Sequence, residues 1–149
     1  MRIDEIITTL NAKTKRDEVF GHTNDDERQL IRTYAPEKNL VVYGTLAPGA
    51  PNHHVVSHIK GNWQEGVVRG RLEKLGWGVY LGYNAFRPVP PEKQQVIKAF
   101  ILRSDELPAN WPMIDEFEGD GYRRILAKYE LDSGEIGVGF IYAVNDQAG

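Results

Sequence analysis

The chain contains no cysteine. Disulfides, thiolate metal sites and cysteine nucleophiles are excluded together, although that absence alone does not fix a compartment. No long apolar run occurs, so no segment reads as a membrane-spanning helix. No charge of one sign dominates: 18 Lys and Arg stand against 21 Asp and Glu, a net charge of -3. Without a strong positive field, nucleic-acid binding is not the default reading. There is no internal repeat and no low-complexity stretch. The first fifteen residues are interrupted by Asp4 and Glu5 and lack an apolar core, so they do not read as a secretory leader. The expected compartment is the cytoplasm. What remains is an ordinary globular composition, 41% apolar and 26% charged over 149 residues. A chain of that length fits one domain and needs no metal or disulfide to fold.

Ile3, Ile6, Ile7 and Leu10 recur at helical spacing and predict a short amphipathic helix. A second helix is predicted from Asn24, which with Glu27 resembles a capping box; Leu30, Ile31 and Tyr34 supply its apolar stripe, and Pro36 closes it. Residues 1–38 thus read as a helical extension, covering an open sheet edge or meeting a partner. From Leu40 the texture turns strand-like. Leu40–Gly44, 67–75 and the apolar 94–104 read as strands, the last central. Residues 123–144 form the clearest hairpin, around Asp132-Ser133-Gly134. Dense glycine in the middle suits a tightly curved sheet. One helix interrupts the strands at 107–119, with Asn110 as expected N-cap, Pro112 in the first turn and Gly119 as stop. The fold class is α+β: a small mixed or antiparallel β-barrel with few helices over residues 39–149, plus the N-terminal extension.

Helical geometry separates the acids of Asp115-Glu116-Phe117-Glu118. With Trp111 at zero and about 100° per residue, Glu118 falls near 340°, between Trp111 and Ile114 near 300° and inside an apolar sector that also takes in Phe117 near 240°. Glu116 lies opposite, near 140°. The pattern sets one carboxyl among apolar side chains just before Gly119. Burial raises a carboxyl pKa, which suits acid–base work near neutral pH. The alternatives are a pairing of Glu118 with Arg123 or Arg124, or a frayed, solvated helix end.

Tyr43-Gly44-Thr45-Leu46 leaves an apolar strand and leads into Ala47-Pro48-Gly49. Such a bend can converge backbone N–H groups on a carboxylate or an oxyanion, or can be a plain strand exit with Thr45 in a turn. Val-Tyr-Gly-Thr-Leu, then Gly49-x-Pro51-Asn52-His53, Asp115-x-Phe117-Glu118-Gly119 and Tyr122-Arg123, in this order and spacing, resemble the γ-glutamylcyclotransferase-like superfamily. The similarity runs over residues 39–144 and looks closest to the γ-glutamylamine cyclotransferase branch. The glutathione-directed branch carries Tyr-Gly-Ser-Asn where this chain has Tyr43-Gly44-Thr45-Leu46.

The resemblance implies a lyase or acyltransferase that cyclises a γ-glutamyl compound to 5-oxoproline and releases an amine. By similarity Glu118 is the catalytic acid/base. Tyr43, Gly44, Thr45 and Leu46 bind the glutamyl end, and Tyr122 walls the pocket and orients the Glu118 carboxylate. It implies no metal and no organic cofactor, a small-molecule γ-glutamyl partner, no nucleic acid and no membrane, and leaves a homo-oligomer open. Two other readings stand beside it: a catalytically silent small-molecule binding protein on the same barrel, and an interaction module acting through residues 1–38.

Other constellations carry less. His54 and His58 would sit together on a helix as a ligand pair, but the segment follows Pro51. Trp63, Trp77, Tyr80, Tyr83 and Phe86 read as core and pocket wall rather than a stacking platform for nucleic acid. In the family picture, residues 76–86 line the cavity, with Arg69 or Arg71 available to a substrate carboxylate. No serine sits in a nucleophile elbow, and Gly76-x-Gly78-x-x-x-Gly82 is not a dinucleotide fingerprint.

Overall fold

The computed structural model describes residues 2–13, 23–75 and 84–146. In chain order the elements are helices α1 (Ile3–Lys13) and α2 (Asp25–Tyr34), strands β1 (Asn39–Val42), β2 (Asn62–Lys74), β3 (Asn84–Arg87) and β4 (Gln95–Arg103), helix α3 (Leu107–Glu118), and strands β5 (Tyr122–Leu131) and β6 (Ile136–Val144). Short 3₁₀ turns lie at Pro36–Lys38, His53–Val55 and Pro91–Lys93. Among the described residues no helix is long and apolar enough to cross a membrane.

Five strands close into a barrel in the order β1-β4-β2-β5-β6, and β6 returns to β1 through a parallel pairing of Leu40 with Phe140 and Val41 with Ile141. The other pairings in the ring are antiparallel. β3 is the extra strand, antiparallel to the far end of β2 and touching β6 at Phe86 and Ala143. The expectation of an α+β barrel is met. β4 lies between β1 and β2, centrally as predicted, but the segment read as apolar alternates buried and exposed residues over its first half.

Period-two alternation divides the strands between two cores. Val41, Val68, Phe86, Ile101, Ile125 and Ile141 belong to a cluster inside the barrel. Leu40, Val42, Leu102, Leu126, Phe140 and Tyr142 belong to a second cluster with residues of all three helices. β2 and β5 pair over only three residues, Gly66–Val68 against Leu131–Tyr129. A Cβ on Gly66 would lie 2.3 Å from the Glu130 carbonyl oxygen, so a side chain there would force the closing strands apart.

Beyond that pairing β2 and β5 separate, and α1 lies over β5. The Asn11 side chain takes the place of a strand: its amide donates to the Leu126 carbonyl at 3.0 Å, and its oxygen accepts from the Leu126 N–H at 2.9 Å. Lys128 adds an ion pair to Asp4. α1 thus covers the part of β5 that β2 leaves unpaired. Asn11→Leu removes both hydrogen bonds at a buried backbone position and is expected to cost about 2 kcal/mol, given about 1–3 kcal/mol for an orphaned buried group. Urea unfolding checks this; a loss below about 0.5 kcal/mol would show that Leu126 is satisfied in another way.

The capping box of α2 is present as read. Asn24 accepts from the Glu27 N–H, and Glu27 accepts from the Asn24 N–H. Glu27 is nonetheless 1% exposed. Burial opposes its charge, but the Asn24 N–H and Lys13, 2.9 Å away, outweigh burial and hold its pKa below the usual range. Lys13 thereby ties α1 to α2. Ala35 takes a left-handed conformation and donates its N–H to the Ile31 carbonyl, so α2 ends at Tyr34 ahead of Pro36.

Candidate active site

The first part of the site is the exit from β1. The strand stops at Val42, before Tyr43. The Tyr43 hydroxyl then pins the exit to two other strands. It donates to the Tyr142 carbonyl at 2.6 Å and accepts from the Phe86 N–H at 2.9 Å. The loop is held from the other side as well: the Asn52 N–H donates to the Thr45 carbonyl, and His53 Nδ1 lies 2.9 Å from the Leu46 carbonyl. Asn52 and His53 therefore pack on the turn. Between these anchors, the N–H groups of Gly44, Thr45 and Leu46 donate to no group among the described residues. Gly44 is exposed, and a Cβ there would meet nothing within 4 Å, so space lies beside this backbone. The Leu46 side chain is buried in the core and offers only its backbone to a ligand.

The second part is the end of α3. The helix begins earlier than the sequence suggested. Its N-cap is Glu106, not Asn110, and Pro108 takes the early position where a missing N–H costs nothing. Pro112 lies inside the helix, where its absent N–H leaves the turn below it one bond short. Asn110 instead bonds back to the Glu106 carbonyl. Trp111 and Ile114 are buried, and the Trp111 indole donates to the Glu37 carbonyl at 2.8 Å. Phe117 is 42% exposed, which corrects its place in the apolar sector. The inward face is centred on Trp111 and Ile114, and Glu118, between them on the wheel, is half-buried. Gly119 at φ 78° ends the helix. The link to β5 is latched by Asn145, whose N–H donates to the Gly121 carbonyl and whose side chain donates to that of Asp120.

Neither arginine takes Glu118 as its partner. Arg124 binds Asp115 through both nitrogens of its fork, at 2.9 and 3.1 Å. Arg123 donates to the Asn11 carbonyl. No hydrogen bond or ion pair among the described residues reaches the Glu118 side chain. Burial, and then the charge on Asp115, raise its pKa from 4.5 to about 7. The ionised form of Glu118 also makes it harder to remove a proton from Tyr43 and Tyr142, both already pushed well up by burial. Charge on Tyr122 acts on Tyr43 in the same sense. The turn after β1 and the end of α3 thus share one electrostatic neighbourhood.

The Tyr122 hydroxyl donates to the Asn84 carbonyl at 2.9 Å. Its single proton is committed there, so Tyr122 does not orient Glu118 by donating to it. Arg69 pairs with Glu130 and lines a different hollow, and Arg71 is exposed. That hollow, about 540 Å³, lies at the split between β2 and β5 under α1, lined by Ile7, Asn11, Val68, Phe86, Pro90 and Lys128 among others. Tyr43, Glu118 and Tyr122 are not in its wall. Residues 76–83, expected along the substrate cavity, lie outside the described residues. His53–Val55 is a single 3₁₀ turn, so His54 and His58 are not two ligands on one helix. No group of three metal-ligating side chains occurs among the described residues.

Two features went unread in the sequence. The Asp115–Arg124 pair is one: Asp115 lies near 40° on the α3 wheel, and the wheel carries no information about a partner on another strand. The other is Tyr142, whose hydroxyl donates to the same Asp115 oxygen at 2.6 Å. An aromatic within a strand reads as core unless its hydroxyl is asked for a partner.

A raised carboxyl predicts how stability varies with pH. The folded chain holds the Glu118 proton to about pH 7, against an ordinary value of 4.5. Between these values the folded state binds more protons, so stability falls as pH rises through the window. Melting temperatures at pH 5 and pH 8 should therefore differ less in Glu118→Gln than in the native chain. Equal pH dependence in the two would mean that Glu118 titrates normally.

The fold and the candidate site define a class: a small α+β barrel with an acid that, among the described residues, has no side-chain partner, is set near pH 7, and is coupled electrostatically to Tyr43 at the exit of β1. The chain belongs to the γ-glutamyl cyclotransferase, AIG2-like family, whose model matches residues 40–149. Membership supports a cyclotransferase-type function. Among solved structures, YkqA from Bacillus subtilis is 26% identical with a TM-score of 0.55; the alignment covers 72% of this chain but only 36% of YkqA. An AIG2-like protein from Mus musculus is 24% identical with a TM-score of 0.57, over 74% of this chain and 79% of the mouse protein. A protein from Arabidopsis thaliana, At5g39720.1, is 22% identical with a TM-score of 0.51, over 74% of this chain and 70% of that one. No curated protein matches the sequence significantly.

Proposed function

We propose that this chain releases 5-oxoproline and a free amine from γ-glutamyl amines, with Glu118 as base and then acid. The α-amine nitrogen of the donor attacks its own γ-carbonyl carbon and forms the ring C–N bond. Glu118 accepts the proton that nitrogen loses. The bond to the leaving nitrogen then breaks, and Glu118 returns the proton to it. The reaction is redox-neutral. Ring closure is intramolecular, so holding the donor bent supplies much of the acceleration. The N–H groups of Gly44, Thr45 and Leu46 are the donors for the glutamyl end and the developing oxyanion. Residues 1–38 are read as an addition packed on the barrel.

The observation that carries this reading is the state of Glu118: no cation partner among the described residues, and a pKa of about 7 with electrostatic coupling to Tyr43. An acid poised there serves both proton transfers at neutral pH. The γ-glutamylamine assignment rests on Leu46, where the turn presents backbone and no polar side chain for a second carboxylate. Incubation with γ-glutamyl amines, γ-glutamyl amino acids and glutathione, followed by quantification of 5-oxoproline, tests it. Product from the amines first is expected. No product from any donor would leave a silent binding protein.

A further inference from the structure

Asp115 and Glu118 stand three residues apart on α3, so their side chains rise next to one another, with Cβ atoms about 5–6 Å apart. The two carboxyls are treated in opposite ways. Asp115 receives both arms of the Arg124 fork and the Tyr142 hydroxyl. Glu118 receives none of these. Arg124 is fixed besides by two rings: its guanidinium carbon lies 4.6 Å from the Trp111 ring centroid and 4.8 Å from that of Phe140. Trp111 and Phe140 themselves meet edge to face at 5.4 Å. Arg124 is 13% exposed, so its charge is placed by the protein and not by solvent.

We propose that Asp115 and Arg124 are positioning residues that act through Glu118: Asp115 holds the Arg124 fork on itself, so the guanidinium cannot swing one helical turn onto Glu118. Tyr142 completes the hold by occupying the remaining donor direction at Asp115 Oδ1. Without this arrangement Glu118 would be an ordinary ion-paired carboxylate, a poor base and never an acid at neutral pH. The sequence offered Arg124 as a partner for Glu118, and the structure has it on Asp115 instead. The importance of the pair rests on the proposed catalytic role of Glu118; its existence does not.

The groups electrostatically coupled to Glu118 are Asp115 on its own helix, Tyr43 after β1 and Tyr142 on β6; Tyr122 of β5 acts on Tyr43, and Arg124 of β5 is bound to Asp115. The test follows the Glu118 carboxyl by carbon-13 NMR in the full chain with labelled glutamate, the resonance assigned by its loss in Glu118→Gln. In the native chain the midpoint should lie at about 7. In Asp115→Asn the raising charge of Asp115 is lost and Arg124 is released toward Glu118, so the midpoint should fall by about one unit or more, and the part due to Arg124 is the part the next variant restores. In the double variant Asp115→Asn, Arg124→Met the cation is gone and the midpoint should climb back at least halfway.

That recovery separates the proposal from simple loosening of the helix end. Loosening would also lower the single variant, but removing Arg124 would not repair it. Should Asp115→Asn fail to fold, Asp115→Ser serves in its place; replacing both charges together is often tolerated. A single variant whose midpoint stays put, or a double variant no higher than the single, overturns the proposal. The acid limb of kcat/KM for 5-oxoproline release should move with the midpoint. If the native chain makes no product, the catalytic reading fails while the titration still decides the pair. If product forms and the midpoints do not move, the pair fails and catalysis stands.

Discussion

Replacing Glu118 by Gln should lower 5-oxoproline release by about 10²–10⁴-fold, the usual worth of a positioned acid–base group. Gln keeps the shape and the hydrogen-bonding reach of the side chain but can neither take nor return a proton at neutral pH. The loss should appear in kcat, because proton transfer belongs to the transition state, and KM should change little. Stability should not fall with it. In the folded chain a raised carboxyl is a cost above pH 7, so the variant should be at least as stable as the native chain at pH 8. Steady-state assays with a γ-glutamyl amine, alongside melting curves, read the two effects separately. A variant that is folded and retains more than about a tenth of the native rate would show that the proton moves through another group.

Phe140→Ala should produce the largest loss of stability, about 3–5 kcal/mol. Phe140 is 1% exposed and sits mid-strand on β6, between Leu40 of β1 and Leu126 of β5. Its outer face carries the edge contact to Trp111 and the Arg124 guanidinium. Truncation removes buried apolar area and leaves a cavity under α3 that strand pairing on both sides prevents from collapsing. Urea titration should show a lower midpoint with an unchanged slope. Activity should fall too, since the floor beneath Trp111 also seats the helix that ends in Glu118. A loss below about 1 kcal/mol would mean that the packing between α3 and β6 is looser than described.

Much of this was legible in the sequence, for reasons that differ by element. Two apolar-rich runs flanking the Asp132-Ser133-Gly134 turn announced the β5–β6 hairpin, because strand composition and turn chemistry are local properties. The α2 capping box was legible for the same reason. Glu118 emerged from helical geometry because its neighbours are one turn away in sequence. The start of α3 was misjudged because Pro108 and Pro112 both suit a first turn, and only packing of Leu107 decides between them. Phe117 was misjudged because an amphipathic wheel assumes that every apolar residue faces inward. The Arg124 clamp and the Asn11 amide on β5 stayed hidden altogether. Each joins residues that only the fold brings together, and Asn11 lies 115 positions from Leu126.

Ring closure requires Glu118 and the amides of Gly44, Thr45 and Leu46 to serve one ligand. Titrating labelled protein with 5-oxoproline, the product itself, tests that most directly by NMR. The three amide N–H signals and the Glu118 side-chain carboxyl signal should move together, along one saturation curve, with the rest of the barrel quiet. Saturable shifts at the amides that leave the Glu118 carboxyl unmoved would place ligand and acid apart, and the ring-closing role would be lost.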